Sequence, residues 1–377
     1  MTTRLLYPRL LVALFVTVIS LPLAATISGL EPVDAEAENR ELAPFPVVDG
    51  LKSVRNLPTS LSQWFDDQFG FRSRLVRWYG ASRLFVLHVS PSPAVMLGQH
   101  DWFFYGDDSS VEDYTKAQPM SDAALANWRA ALVRARDWLH AQHIAFVFTI
   151  APDKHEIYAE EMPTTLARLG DVTHADQMFT ALQDTGIAVD VRPAEFDAKA
   201  RERVYQLTDT HWNDRGALAA YQQIIGAVRA RVPATPPAWS RDDFTAVDRT
   251  VAGMDLARMM GLPRLLHEVD MVLVPKRPRR AKVLEPAGGG PADEVGRLVT
   301  EIDDPSLPRA VIFRDSFGSR LVPFLSEHFS RAVYLWQNDF DAAEVTTEHP
   351  DVVIQEIVGR HLYSFIPSPE LVPNPKP

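Results

Sequence analysis

The sequence predicts an α/β fold: a parallel sheet with helices on both faces, preceded by an N-terminal transmembrane helix. Three observations carry this reading. Apolar runs of strand length, such as HIAFVFTIAP (143–152), RAVIF from residue 309 and DVVIQEIV (351–358), punctuate the second half of the chain. Amphipathic stretches of helical period lie between them, and fully apolar strands alternating with such helices imply a sheet covered on both sides. The third observation is an uncharged stretch from Leu10 to Leu30, long enough to cross a bilayer as a helix.

Residues 1–30 set the address. Arg4 and Arg9 precede the apolar stretch, and Glu31, Asp34, Glu36 and Glu38 follow it. Retained arginines place the N-terminus in the cytoplasm and export everything after residue 30. An uncleaved anchor in the inner membrane is favoured over a cleaved signal peptide, because Ala24-Ala25 is a poor small-x-small site. Either reading puts the remainder in the periplasm. Pro22 kinks such a helix without forbidding it.

Residues 31–60, rich in Pro, Glu and Asn, read as an extended tether. Residues 61–377 read as one large α/β domain, with a less regular insertion around 233–308. Within it, Trp64, Phe65, Phe69, Phe71, Trp78 and Tyr79 recur at roughly helical spacing, which predicts a core-packing helix. VMLGQHDWFFYGDD (95–108) reads as a hairpin. Ser121 caps a helix whose apolar stripe is Leu125, Trp128, Leu132, Ala135 and Leu139. A second helix near 174–184 leads to the strand GIAVDV (186–191). ERVYQLTDTHW (202–212) reads as a strand ending in polar residues. A helix follows over 216–232, another near 254–260, and a Pro/Arg/Gly-rich loop over 275–291. Strands are then expected at 309–318, 331–336 and 351–358, the first running into a helix.

Composition removes several function classes. The content of apolar and charged residues is that of a globular chain, so a disordered protein is excluded. The net charge of −11 leaves no basic footprint for general nucleic-acid binding. Without cysteine there is no disulfide, thiol nucleophile, Cys-ligated zinc or iron–sulfur cluster. His140 and His143 straddle a helix end with no third ligand in view, so no metal site is expected. No P-loop or dinucleotide fingerprint stands in the sequence, and no cofactor is expected.

In a parallel α/β sheet, ligands sit beyond the carboxyl ends of the strands. Two polar clusters fall there: Thr208-Asp209-Thr210-His211-Trp212 and Arg314-Asp315-Ser316-Phe317-Gly318. A serine hydroxyl needs a base, and the base needs an orienting acceptor. Ser316 is the candidate nucleophile, His211 its base and Asp209 the acceptor. Residues i and i+2 of an extended segment point the same way, which places Asp209 and His211 in one pocket. The free N–H groups opening the helix after Ser316 are the expected oxyanion donors. Trp212, Arg314, Lys154 and Trp102 are the candidate substrate-binding residues. The two tryptophans are candidate stacking surfaces for a ligand, while Trp336, Asn338 and His155 are weaker candidates for the pocket border.

These blocks resemble the SGNH-hydrolase-like family of AlgJ and AlgX, the alginate O-acetylation proteins. The resemblance runs through ENRELAPFP (38–46), WFDDQFGFR (64–72), GQHDWFFYGDD (98–108), APDKHEIY (151–158), TDTHWNDRGA (208–217), GMDLARMMGL (253–262) and FRDSFG (313–318). Asp209 and His211 precede Ser316, as in the alginate-acetylation branch; ordinary SGNH esterases have the opposite order. The resemblance implies a flavodoxin-like parallel sheet and acetyl transfer through Ser316, His211 and Asp209 onto hydroxyls of an exopolysaccharide. It implies two partners, the polysaccharide acceptor and a membrane-bound O-acyltransferase that delivers acetyl groups, among other secretion components. The N-terminal anchor, and the short stretch after the last strand, make the chain more AlgJ-like than AlgX-like. Two other readings stand beside this one: a polysaccharide O-acetylesterase with the same three residues, and a non-enzymatic glycan-binding or scaffold subunit.

Overall fold

The computed structural model describes residues 3–28, 42–284 and 296–373. The chain divides into two compact units, residues 1–95 with 252–267 and residues 96–251 with 268–377. In chain order the strands are β1 (Val95–Leu97), β2 (Phe103–Tyr105), β3 (Ala145–Ala151), β4 (Ala188–Asp190), β5 (Phe244–Ala252), β6 (His267–Pro275), β7 (Lys282–Leu284), β8 (Arg297–Glu301), β9 (Arg309–Arg314), β10 (Arg331–Trp336) and β11 (Val352–Val358).

The larger unit is built on a seven-stranded sheet of order β4-β3-β11-β9-β10-β8-β7. The first five strands run parallel, while β8 is antiparallel to β10 and β7 antiparallel to β8. The sheet is therefore mixed, which corrects the expectation of a flavodoxin-like parallel sheet. The cause lies in the connection. Only residues 302–308 join β8 to β9, and a parallel crossover needs roughly a dozen residues or more. A strand returning so soon enters the sheet running the other way.

Side chains alternate across each strand, so every central strand feeds two cores. Phe146, Phe148 and Ile150 of β3 join Val311 and Phe313 of β9 under the helix Asp122–His140, through its buried Trp128, Leu132, Ala135 and Leu139. Val147 and Ala151, with Ala310 and Ile312, face the helix Asp214–Arg231 through Ala217, Tyr221, Ile224 and Val228. Ser121 caps the first helix, its hydroxyl accepting the Ala124 N–H at 3.2 Å. Asn213 caps the second by accepting from Arg215 and Gly216. The region read as an irregular insertion contains the β5–β6 pair, β7 and β8. Part of the expected 275–291 loop lies outside the described residues.

The smaller unit is helical. Its first helix, Thr3–Ser28, contains Pro8–Thr26, whose mean hydropathy of 2.0 and length suffice to cross a membrane. The expected tether over 31–60 falls partly outside the described residues, and its second half enters the helix Leu51–Gln68. The single core-packing helix expected over residues 64–79 is broken. Phe71 takes a left-handed φ of 64°, which ends one helix and starts another, Arg72–Ala81. Trp78 and Tyr79 are 68% and 57% exposed, so they are not core residues.

Candidate active site

Ser316 sits just beyond the carboxyl end of β9, in the sheet's middle. The chain leaves the strand through a single tight turn, Phe317–Arg320, and a four-residue helix, Val322–Leu325. Ser316 opens this short turn and not a long helix, so no long helix dipole backs the expected oxyanion donors. The Phe317 N–H is also already committed, donating to Asp315 Oδ1 at 2.9 Å. Asp315 Oδ2 accepts from Val358 N–H at 2.7 Å and so ties the turn to the end of β11. Beneath it lies Glu356 of β11, buried, whose Oε2 accepts the Asp315 N–H at 3.2 Å. Burial, and then the Asp315 carboxylate, push the Glu356 carboxyl well above the ordinary range, which keeps it neutral. Gly318 is required by contact: a Cβ there would stand 2.6 Å from Arg314 Cβ.

Asp209 and His211 come from a loop and not from a strand end, which corrects the reading of 202–212. The segment makes one isolated bridge, Tyr205 with Trp212. It has no ladder because two buried ions take over the backbone hydrogen bonding. Lys154 Nζ donates to the carbonyls of Phe103, Leu207 and Asp209 at 2.6, 2.8 and 2.9 Å. Glu268 accepts from the N–H groups of Leu207 and Thr208 at 2.6 and 2.9 Å, and from the Thr208 hydroxyl at 2.6 Å. An ammonium carries three donors and a carboxylate about four acceptor sites, so one turn of backbone is satisfied from both sides.

The loop so held turns back on the Ser316 turn. His211 Nε2 lies 2.8 Å from Ser316 Oγ, and His211 Nδ1 lies 2.6 Å from Asp209 Oδ1. The same Oδ1 accepts the backbone N–H of His211 at 3.1 Å, which fixes the carboxylate against the ring. Thr210 Oγ1 is 3.1 Å from Nδ1. The imidazole packs on Phe317 with centroids 4.7 Å apart. Asp209 is buried while Ser316 and His211 are half-buried, so the hydroxyl and its neighbour are reachable. A hydroxyl hydrogen-bonded to an imidazole, itself hydrogen-bonded to a carboxylate, can pass a proton from oxygen to nitrogen without building a free hydroxide or alkoxide in water.

The four expected substrate-binding side chains are all buried, for separate reasons. Trp212 is 1% exposed and donates Nε1–H to the Phe317 carbonyl at 3.1 Å, holding the two polar clusters together. Trp102 is 6% exposed and packs on Tyr158 with centroids 4.1 Å apart. Neither ring offers a face to a sugar chain. Lys154 lies over the Trp102 ring at 5.0 Å and is engaged by the three carbonyls. Arg314 donates to Ser319 Oγ at 2.9 Å and lies over the ring of Trp336, which is itself 41% exposed at the end of β10. Asn338 is half-buried, and its carbonyl accepts from Gln355. His155 is buried against Asp113, Nε2 to Oδ2 3.0 Å.

Sequence reasoning missed Glu268 and the Asp153–Arg360 pair. Glu268 lies in the stretch read as irregular, and nothing local marks it. Arg360 donates its backbone N–H and Nη1 to the two oxygens of Asp153, each at 2.6 Å, and its guanidinium lies 5.4 Å from the Phe317 ring centroid. A buried Arg beside the residue after Ser316 braces the turn from the β11 side.

The chain resembles proteins already characterised. A family described as the SGNH hydrolase-like domain of the acetyltransferase AlgX matches residues 95–341. A relative named "Probable alginate O-acetylase AlgJ" from Pseudomonas putida is 31% identical over 168 residues, 44% of this chain and 41% of the relative. One of the same name from Pseudomonas syringae pv. tomato is 28% identical over 177 residues, 45% and 42% of the two chains. The match thus spans less than half the length of either relative. Among solved structures, Bacillus cereus PatB1 with a sulfonyl adduct superposes with a TM-score of 0.51 at 14% identity, over 72% of this chain and 96% of that one, a likeness of fold. With the family match running from β1 past β10, and so over both polar clusters, the chain belongs to the SGNH-hydrolase-like family of the alginate acetylation protein AlgX.

Proposed function

We propose that this chain is a periplasmic exopolysaccharide O-acetyltransferase of the alginate type, working through an acetyl-serine on Ser316. The observation that carries the reading is the unbroken line Ser316 Oγ, His211 Nε2, His211 Nδ1, Asp209 Oδ1, at 2.8 and 2.6 Å. The Ser316 hydroxyl gives its proton to Nε2 as Oγ attacks the acetyl carbonyl of the donor. The imidazolium, stabilised by Asp209, returns that proton to the departing group. A sugar hydroxyl then gives its proton to Nε2 and attacks the acetyl-serine. Collapse of that intermediate releases the acetylated sugar, and the proton on Nε2 goes back to Ser316 Oγ. Transfer exceeds hydrolysis only if the acceptor reaches the ester before water does, and a half-buried serine favours that.

The apolar N-terminal helix supports attachment to the inner membrane. The likeness to proteins named alginate O-acetylases supports a polysaccharide as the acceptor, and we assign the supply of acetyl groups to a membrane-bound O-acyltransferase partner. The test uses the full chain purified in detergent, with an acetyl-ester donor and oligosaccharide acceptors, read by mass spectrometry. Acetylated oligosaccharide is expected from the wild type and not from Ser316→Ala or His211→Ala, with Asp209→Asn slower by roughly 10⁴-fold. Acetate without acetylated sugar would make the chain an esterase, and undiminished transfer by Ser316→Ala would remove the acyl-enzyme altogether.

A further inference from the structure

The apolar residues that the smaller unit leaves in the open form a second surface with its own chemistry. From Gln68 to His100 the chain has no acidic residue, although the whole protein carries a net charge of −11. The same stretch holds Arg72, Arg74, Arg77 and Arg83. Around these lie Leu75, Trp78, Tyr79, Phe85, Val86 and Leu87, exposed by 44%, 68%, 57%, 52%, 71% and 64%. These residues occupy the helix Arg72–Ala81, the widened turn Ser82–Val86 that continues it, and Leu87 at its end. Gly80 and Leu84 mark the inward side, where Gly80 packs on Leu262 and Met260. Arg83 donates to the Tyr79 hydroxyl at 2.9 Å, and neither Arg77 nor Arg83 has a carboxylate partner among the described residues.

This helix is also joined to the apolar N-terminal helix. The Gly70 N–H donates to Thr26 Oγ1 at 2.7 Å, and a Cβ on Gly70 would come within 2.6 Å of the Pro22 carbonyl. The turn that opens the arginine-rich helix is therefore seated on the last turns of the stretch long enough to cross a membrane. Segments with arginines, a tryptophan and a tyrosine beside open aliphatic side chains suit the boundary between headgroups and acyl chains. A basic segment complements anionic headgroups, and only within a short range of them.

We propose that residues 72–89 form a foot that lies in the outer face of the inner membrane, with Arg77 and Arg83 on anionic lipid phosphates and Trp78, Phe85, Val86 and Leu87 in the acyl boundary. The proposal rests on the reading that the N-terminal helix spans the membrane. It gives the chain a second hold on the bilayer beside the N-terminal helix.

The absence of cysteine makes the test direct, since Val86→Cys creates a unique labelling position. The full chain carrying a nitroxide at 86 is reconstituted in phosphatidylcholine vesicles with or without phosphatidylglycerol. Thr346→Cys, exposed in the larger unit, is the aqueous control. With phosphatidylglycerol, the label at 86 is expected to lose access to a water-soluble nickel relaxant several-fold and to gain access to oxygen, while the control stays aqueous. Arg77→Gln with Arg83→Gln should return the label toward water, as should high salt with the arginines intact, which keeps the test open should the double variant fold poorly. A label that stays aqueous in a chain co-floating with vesicles overturns the foot, and so does burial that ignores lipid charge. Burial only when a membrane protein partner is added overturns it too, in favour of a protein interface. A chain that does not co-float at all refutes the membrane-spanning reading beneath it.

Discussion

At the scale of single residues, the site depends as much on Lys154 and Glu268 as on the three side chains that meet. These two touch neither Ser316 nor the imidazole; they hold the backbone from which Asp209 and His211 hang. Replacing Lys154 by Met takes the buried ammonium from three carbonyls, of which that of Leu207 keeps the Phe103 N–H at 3.1 Å. A buried carbonyl left without a donor costs about 1–3 kcal/mol if no water replaces it. A displacement of His211 by an ångström is expected to cost roughly 100-fold in rate. We therefore expect Lys154→Met to lower kcat for a small acetyl ester by about that factor with KM nearly unchanged, and to distort the pH profile of kcat as the imidazole leaves its carboxylate. Lys154→Arg should recover part of the rate. Steady-state kinetics across pH, set beside thermal melts, separates this from a stability effect. A variant that melts earlier yet keeps the wild-type kcat and pH profile in its folded fraction would make Lys154 a structural residue only.

At the scale of elements, the decisive piece is the turn after β9. It is tight because Gly318 lies against the Arg314 side chain, with Cβ and Cδ both under 3 Å from where a methyl would go. Gly318→Ala must push β9 or the turn aside, an overpacking cost of about 1–3 kcal/mol, and should misplace Ser316. Calorimetry and ester cleavage should fall together; a variant with normal activity would show that the turn yields cheaply. The elements that sequence could announce are those with a continuous apolar run and both faces buried, as in β3, β9, β10 and β11, or with a capped stripe, as in the helix after Ser121. The 202–212 loop escaped because its alternation looks like a strand, while its backbone partners, Lys154 and Glu268, are distant in sequence. β5 escaped because it is mostly exposed and so has no apolar face to read. The antiparallel edge was hidden because strand direction is set by the short 302–308 link, and not by any residue within β8. The polar clusters themselves were readable, since Asp209, His211 and Ser316 need only lie at the sheet's carboxyl edge to meet. The burial of Trp102 and Trp212 was not, because a residue's neighbours across the fold decide whether a tryptophan packs or protrudes.

At the scale of the whole molecule, buried titratable groups set opposing demands on pH. His328 is fully buried beside the Tyr221 hydroxyl, 2.6 Å from Nε2, and burial lowers its pKa to about 4. Between pH 6.5 and 4 the unfolded chain binds a proton there that the folded chain refuses, so stability falls as the solution is acidified through that window. Glu156 works the other way. Burial, and then the charge of Asp113, raise its carboxyl to about 8. Its proton is held in the folded state and lost in the unfolded one from pH 4.5 upward, so its contribution declines as pH rises toward 8. Glu195 and Glu356, both raised well above the usual range by burial first, add to the decline on that side. Where the His328 and Glu156 windows overlap, from 4.5 to 6.5, their slopes are opposite in sign and offset each other. Above that range the acids act in the same direction as His155, whose imidazole, against the pull of burial, is held above its ordinary value by the Asp113 carboxylate. Thermal melts of the wild type should therefore lose stability from pH 6.5 to 8. His328→Gln keeps an acceptor for Tyr221 and removes the titration, so it should flatten the acid side by up to about 3 kcal/mol. Glu156→Gln imitates the neutral acid and should flatten the neutral-to-alkaline side. Melting curves of the three proteins between pH 4 and 8.5 check both signs at once, and a wild type that gains stability steadily up to pH 8 would contradict the assignment of Glu156 as a buried neutral acid.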